Sequence, residues 1–162
     1  MATVRVDVTR ADHLADFQTI FNQVAKPYLV AATNVVKAAV QVRAPVHMGF
    51  FRNSITIKID ETAGQLTGSI YSQDNEIKVA VIEEGRSAGS RFPPVDVIMR
   101  WVQLVIKPPE KMLRSVTYLV GRKIARQGIP GRHPFKLGEQ DSEAEAFQIL
   151  SVDLQQELVQ RL

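Results

Sequence analysis

The chain of 162 residues contains no cysteine. Disulfides, thiolate zinc sites and cysteine nucleophiles are therefore excluded. Without covalent cross-links, we expect the stability of the fold to come from side-chain packing or from assembly with other chains.

Long apolar runs are missing as well. No stretch of 18 apolar residues occurs, so we expect no membrane-spanning segment. The first residues, MATVRVDVTRAD, lack the apolar core of a secretory signal. With 45% hydrophobic and 23% charged residues, the composition is typical of a globular protein. The length predicts a single domain covering residues 1–162.

Residue patterns for catalysis are also scarce. The three histidines, His13, His47 and His133, are far apart, and none has a partner at the four-residue spacing of a helical zinc pair. Glu83 and Glu84 are adjacent, so on a strand they would point to opposite faces. The segment GRSAGSR lacks the Lys-Ser/Thr ending of a phosphate-binding loop. We therefore predict a protein that is not an enzyme, with no catalytic residue, no metal site and no cofactor.

Charge is unevenly distributed along the chain. Residues 1–138 hold 19 of the 20 Lys and Arg and 11 of the 17 acids, a net charge of +8, whereas residues 139–162 hold one Arg and six acids, a net charge of −5. This segregation suits head-to-tail contact between copies, or one face turned toward a polyanion. A solvated acidic helix beside a mildly basic body is the simpler explanation.

Hydrophobic periodicity predicts an N-terminal strand and then a helix-rich part over 10–43. The strand, at 3–9, follows from the alternation of Val4, Val6 and Val8. The helix follows from apolar residues at three- and four-residue spacing, at positions 14, 17, 21, 24, 28, 31, 35, 38 and 42. Pro27 interrupts this pattern, so we expect either two helices or one kinked helix.

The remaining chain predicts an α+β fold. A three-stranded antiparallel β-meander is expected over 54–84, with strands at 54–60, 65–72 and 76–85 joined by short polar turns, and it should pack against the long N-terminal helix. The C-terminal part, 94–162, is expected to be helical, with loops at 85–93 and 128–138. Since no strand–helix–strand crossover is present, the fold is α+β and not doubly wound.

Three loop regions carry arginine and aromatic or large apolar residues, the types that anchor protein interfaces. The predicted interface residues are Phe50, Arg52, Arg86, Arg91, Phe92, Ile129, Arg132 and Phe135. Some of these aromatic rings are also candidates to fold back into the core.

A cluster of basic residues at the end of the penultimate helix predicts a contact with DNA phosphates. Its members are Arg122, Lys123 and Arg126, with Arg132, His133 and Lys136 following. The same cations would also complement the dipole at a helix C-terminus.

Three segments, in order, resemble the HK97 gp10-like tail proteins of tailed bacteriophages. The first, APVHMGFFRNSI (44–55), is similar to that family's Ala-Pro-Val-x-x-Gly-x-Leu-Arg-x-Ser-Ile signature, with His47 and Met48 where the family has Asp-Thr. The second, 79–102, resembles a strand ending in Glu-x-Gly-Arg, then Pro-Pro, then a helix with Trp. The third, 120–135, is similar to a helix end followed by Pro-Phe.

The resemblance implies a structural virion protein of the head–tail junction, or neck. Such a protein completes or terminates the tail as a ring of six copies and joins it to the head connector. Its expected partners are further copies of itself, the head-completion or connector protein, the major tail tube protein and, non-specifically, the DNA in the lumen. We expect it in the virion, and in the host cytoplasm during assembly.

Overall fold

The predicted α+β fold is confirmed by the structure, a computed structural model that describes residues 3–6, 15–46, 49–62 and 65–161. The strands are β1 (Thr3–Val6), β2 (Ile55–Thr62), β3 (Gln65–Ser72), β4 (Gly85–Arg86) and β5 (Ile129–Pro130). The α-helices are α1 (Ala15–Arg43), α2 (Phe50–Ser54), α3 (Glu76–Glu84), α4 (Val95–Trp101), α5 (Leu113–Gln127), α6 (Pro134–Gln148) and α7 (Leu154–Arg161).

The chain divides into two compact units. The first unit comprises Met1–Val79 and His133–Leu162, and the second unit comprises Ala80–Arg132. The single domain predicted from the chain length stays a prediction. Each unit is described by itself below.

A three-stranded antiparallel sheet lies in the first unit, in the order β1-β3-β2. Thr62 pairs with Gln65 at the end of the β2–β3 hairpin, and Thr3 pairs with Ser69. The strand predicted at 65–72 is confirmed, and the strand predicted at 54–60 is found at Ile55–Thr62. The predicted N-terminal strand is confirmed over Thr3–Val6, and its residues 7–9 lie outside the described residues.

The predicted third strand of the meander, 76–85, is wrong, because Glu76–Glu84 form helix α3. The side chain of Asn75 begins this helix: its Oδ1 accepts hydrogen bonds from the backbone N–H of Ile77 at 3.0 Å and of Lys78 at 3.4 Å. Asp74 adds an ion pair with Lys78 one turn further on. These local interactions favour a helix even though the apolar residues alternate.

Helix α1 is continuous through Pro27, so of the two alternatives the structure has a single helix and not two separate ones. The predicted stripe is also misplaced in its second half, where Ala31, Ala38 and Val42 are exposed. The buried positions there lie one or two residues further along the same helix, at Ala32, Val36 and Val40. Because valine and alanine occur on both faces, periodicity alone does not identify the buried one.

The core of the first unit is built where α1 meets the sheet and the C-terminal helices. Leu29 of α1, Leu66 of β3 and Leu154 of α7 belong to one buried cluster. Full burial of a leucine side chain contributes roughly 1.5–3 kcal/mol. Thr33, also buried, donates its hydroxyl to the carbonyl oxygen of Leu29 at 2.6 Å, so the core contains no unpaired group at this position.

Helix α6 begins earlier than predicted. The loop expected over 128–138 ends at His133, and Pro134 stands at the first helical position, where its missing N–H costs no hydrogen bond. The final helix expected from Glu139 is confirmed, although a π-helical turn at Ile149–Asp153 separates α6 from α7.

The second unit consists of α4 and α5 joined by irregular helical turns, together with the short strands β4 and β5. A π-helical turn, Val102–Ile106, continues α4, and a 3₁₀ turn, Glu110–Met112, leads into α5. Ile98 and Val102 are buried where α4 packs against α5. The helical character expected from residue 94 onward is confirmed in this unit by α4 and α5.

Candidate interaction surfaces

The corner at 44–54 turns the chain from α1 into the sheet. Helix α1 ends at Arg43, because the residue before Pro45 is disfavoured in the helical region. Gly49 has φ of 71°, in the left-handed region, and it begins the short helix α2. As a result Phe51 is buried, whereas Phe50 is 64% exposed. His47 and Met48 lie outside the described residues.

Arg52 is exposed on the outer side of this corner. Its carbonyl oxygen accepts a hydrogen bond from Nε2 of Gln41, 3.2 Å away on α1, which fixes the backbone while leaving the guanidinium at the surface. The structure therefore places Phe50 and Arg52 on the surface of the same five-residue helix.

The prediction that Phe135 is exposed is wrong. Its side chain is only 5% exposed, and its ring meets the ring of Phe51 edge-on, with 6.5 Å between centroids. Because Phe135 is the second residue of α6, this contact joins the start of α6 to the corner. Phe135 is thus a core residue of the first unit.

The ion pair between Arg43 and Asp141 lies at the end of α1. The guanidinium donates to both carboxylate oxygens, from Nε at 2.7 Å and from Nη2 at 3.1 Å. This hydrogen bonding, followed by the charge of Asp141, raises the pKa of Arg43 above its ordinary value. Asp141 is therefore engaged within its own chain.

In the second unit, a two-stranded ribbon brings two of the predicted loops together. Arg86 of β4 pairs directly with Ile129 of β5, and the backbone N–H of Arg132 donates to the carbonyl oxygen of Ile82 at 2.9 Å. The ribbon thus places Arg86 beside Ile129, two predicted interface residues that are far apart in sequence, and Arg132 follows three residues after Ile129.

Arg86 is half-buried and holds its own loop. Its Nε donates to Oγ of Ser90 at 2.9 Å, and its Nη2 donates to the carbonyl oxygen of Arg91. The backbone N–H of Gly89 donates to the carbonyl oxygen of Ala125 at 2.8 Å, which ties the same loop to α5. These contacts give Arg86 a positioning role, whereas Arg91 is exposed.

Phe92 closes this loop onto α5. Its ring lies over Gly121, where a Cβ would come within 2.3 Å of the ring. The ring also stacks on Tyr118, with 5.8 Å between centroids and 22° between ring planes. Tyr118 itself is 57% exposed, so the stack presents one aromatic face to the surface.

The three cations predicted to contact DNA share one shallow groove of about 230 Å³ on α5. The groove is lined by Leu119, Arg122, Lys123, Arg126 and Gln127. Leu119 and its neighbour Tyr118 were not among the residues predicted from the sequence to form a contact surface. Tyr118 and Leu119 are both more than half exposed. They stand four residues before Arg122 and Lys123, and this spacing in the sequence indicates that they share a helical face with these cations.

Large apolar side chains are unusually exposed throughout residues 80–132, all of which are described. The exposed ones are Phe92, Val95, Val97, Trp101, Leu104, Val105, Ile106, Met112, Tyr118, Leu119 and Ile129. Where exposed apolar side chains lie together, as Leu119 does with the cations of one groove on α5, they are candidates for interaction with other molecules.

Metal-binding and membrane features were searched over the described residues. Within them, no group of three His, Asp or Glu side chains is arranged to hold a metal ion. No described helix combines the length and the apolar character needed to cross a bilayer. His133 precedes α6 with φ of 48°, and His13 and His47 lie outside the described residues.

No protein-family model, curated protein or solved structure matches the chain.

Proposed function

We propose that the protein is a structural component of the head–tail junction of a tailed bacteriophage, where identical copies assemble into a ring. The observation that carries the proposal is the exposure of large apolar side chains on the second unit, next to a row of cations. Exposed apolar side chains are stabilised when another chain covers them. A protein that works by assembly accounts for such a surface directly.

The resemblance of three ordered segments to the HK97 gp10-like tail proteins supplies the biological setting. In that setting the ring has six copies, completes or terminates the tail, and joins the tail tube protein to the head connector. The corner at 44–54 and the ribbon of β4 and β5 lie within the resembling segments, and Phe50, Arg52 and Arg91 are exposed there. These side chains are the proposed contacts with neighbouring proteins.

The test is to determine the oligomeric state and the location of the protein. Native mass spectrometry and negative-stain electron microscopy of the purified chain are expected to show a closed ring of identical copies. Mass spectrometry of purified particles from a phage that encodes the chain is expected to detect it in the virion. A strictly monomeric protein at high concentration, together with its absence from particles, would contradict the proposal.

A second candidate function is non-specific DNA binding through α5, favoured by the three cations that share one groove. Phosphate-driven binding weakens steeply as salt rises, because bound counterions are released on association. A titration of duplex DNA at increasing salt, repeated with Arg122, Lys123 and Arg126 all changed to Gln, measures this contribution. If the triple variant binds DNA as tightly as the unchanged protein, this second function is excluded.

A further inference from the structure

The exposed half of α5 is basic along its whole length. Arg114, Arg122, Lys123 and Arg126 are all exposed, and the sequence of this helix contains no acid. Residues four apart lie on the same helical face, so Tyr118, Arg122 and Arg126 form one line and Leu119 and Lys123 form the line beside it.

Two apolar side chains lie within this basic face. Tyr118 is 57% and Leu119 is 58% exposed, and the stacked ring of Phe92 supports Tyr118 from the side. Phosphate groups are bound by cations and gain nothing from an exposed leucine. Aromatic residues and arginine together are typical of protein interfaces, so the face favours a protein partner.

A second α5 is an unsuitable partner for this face, because two rows of cations would repel each other. The partner needs acids and an exposed apolar residue at matching positions. Helix α6 has this pattern: its sequence contains four acids and one lysine, and Glu139, Glu143 and Phe147 follow each other at four-residue intervals. All three are exposed, Phe147 to 69%.

The intervals between the apolar and charged side chains along α5 match those along α6 when the two helices run antiparallel. Four residues of α-helix rise about 6 Å, so each pattern has an apolar residue followed by charges about 6 Å and about 12 Å away. On α5 the order is Tyr118, Arg122, Arg126, toward the C-terminus. On α6 the order is Phe147, Glu143, Glu139, toward the N-terminus. The apolar residues meet at one end and two pairs of opposite charges follow.

We propose that α5 of one copy docks antiparallel on α6 of a second copy. In this arrangement Tyr118 and Leu119 contact Phe147. Arg122 or Lys123 then pairs with Glu143, and Arg126 pairs with Glu139. The two surfaces differ, so the contact is heterologous and propagates from copy to copy until a ring closes. The inference specifies an interface for the proposed ring and rests on the proposed self-assembly. Contact of the same cations with DNA becomes an alternative outcome of the test.

The test uses charge reversal in the full chain. One variant carries Arg122→Glu and Arg126→Glu, and the other carries Glu139→Arg and Glu143→Arg. Matched controls are Arg100→Glu on α4 and Glu145→Arg on α6, both exposed and outside the two lines. Sedimentation velocity at physiological ionic strength is expected to show that each reversed variant alone associates at least about tenfold more weakly, since like charges then face each other. The controls should assemble like the unchanged protein.

Mixing the two reversed variants in equal amounts is the decisive measurement. The acidic α5 of the Arg variant then meets the basic α6 of the Glu variant. The unchanged basic α5 of the Glu variant likewise meets the unchanged acidic α6 of the Arg variant. Assembly should therefore return, with the two variants alternating. Circular dichroism melting of each variant checks that it folds. A second set of variants, with Gln at the same four positions, removes the charges without reversing them and should lose assembly only in part.

Several outcomes would overturn the inference. Assembly of the unchanged protein that both reversed variants retain would refute this interface and leave the ring proposal intact. Weakened assembly without recovery on mixing would mean that the charges do not pair between copies. Loss of DNA binding in the Arg variant, with its assembly unaltered, would assign the face to DNA. An unchanged protein that never assembles would contradict the ring itself.

Discussion

Gly138 of α6 lies directly against the backbone of Val40 in α1. A Cβ at position 138 would come within 2.6 Å of both the Cα and the backbone nitrogen of Val40. The hydroxyl of Ser142, one turn later, donates to the carbonyl oxygen of Gly138 at 2.7 Å. The two helices are thus so close at this point that only the hydrogen atom of a glycine side chain fits between them. The same packing of α6 against α1 accompanies the contact of Phe135 with Phe51.

Gly138→Ala is therefore expected to destabilise the first unit. The methyl group would meet backbone atoms, which cannot rotate away, and overpacking of this kind costs about 1–3 kcal/mol. Urea denaturation followed by circular dichroism measures the change. Gln140→Ala, at an exposed position of the same helix, is the control and should change the free energy of unfolding by less than about 0.5 kcal/mol. Equal midpoints for the two variants would show that α1 and α6 are further apart than described.

Gly49 provides a test of the corner. Its φ of 71° is unfavourable for residues with a Cβ, while the space around it is open, since the nearest contact of a Cβ would be Nδ2 of Asn53 at 3.5 Å. Gly49→Ala should cost on the order of 1 kcal/mol through backbone strain, and Gly49→Val should cost more, because β-branched residues tolerate this region least. Gly49→Asn should be the mildest of the three. Thermal melting in which all three variants match the unchanged protein would contradict the positive φ.

The sequence predicted the elements whose signals are local. The hairpin of β2 and β3 follows from the alternation of apolar and polar residues, and Phe50 was predicted at the surface, where the structure places it. Helix α3 was missed because Ile77, Val79 and Val81 alternate as in a strand, while the Asn75 cap and the Asp74–Lys78 pair act more strongly. The cap residue was visible in the sequence and was interpreted as a turn.

Contacts distant in the sequence were not predictable. The ribbon between Arg86 and Ile129 consists of two-residue strands, which are too short to leave a periodic signal. Phe135 was predicted at the surface because the helix was expected to start at Glu139, and the edge-on contact with Phe51 depends on the packing of α6. Of the candidate surface, the cations were predicted and the apolar residues between them were not, since only the structure identifies the exposed face of α5.

Gly121→Ala should alter the aromatic stack without unfolding the second unit. The new methyl group would come within 2.3 Å of the tip of the Phe92 ring, a side-chain end that is able to swing away. We expect a small loss of stability, below about 1 kcal/mol, and a shift of the Tyr118 ring resonances as the stack at 5.8 Å is lost. Proton NMR of Tyr118 follows the stack, with Ser115→Ala as a control on the exposed side of the same helix. Unshifted resonances in Gly121→Ala would contradict the described position of Phe92.

The ion pair that begins α3 predicts a pH-dependent contribution to stability. The hydrogen bond from Lys78 lowers the pKa of Asp74 below its ordinary value of 3.8; burial opposes this effect, and the backbone N–H of Asn75 adds to it. A carboxyl group whose pKa is lower in the folded state stabilises that state at pH values above its unfolded pKa. The contribution is lost as the pH falls through the folded pKa.

Asp74→Asn is accordingly expected to lower the free energy of unfolding by roughly 0.5 kcal/mol at neutral pH, the usual scale for a helical ion pair at a partly exposed site. At about pH 2 the difference between the variant and the unchanged protein should be smaller than at neutral pH, because protonation of Asp74 in the folded state removes the charge of the ion pair. Urea denaturation at both pH values measures this difference. Lys78→Met provides the matched partner for a double-mutant cycle, because removal of Lys78 should abolish the effect of Asp74→Asn apart from a weaker hydrogen bond to the backbone N–H of Asn75. A destabilisation that is the same at both pH values would show that Asp74 acts through its shape and hydrogen bonding, and not through its charge.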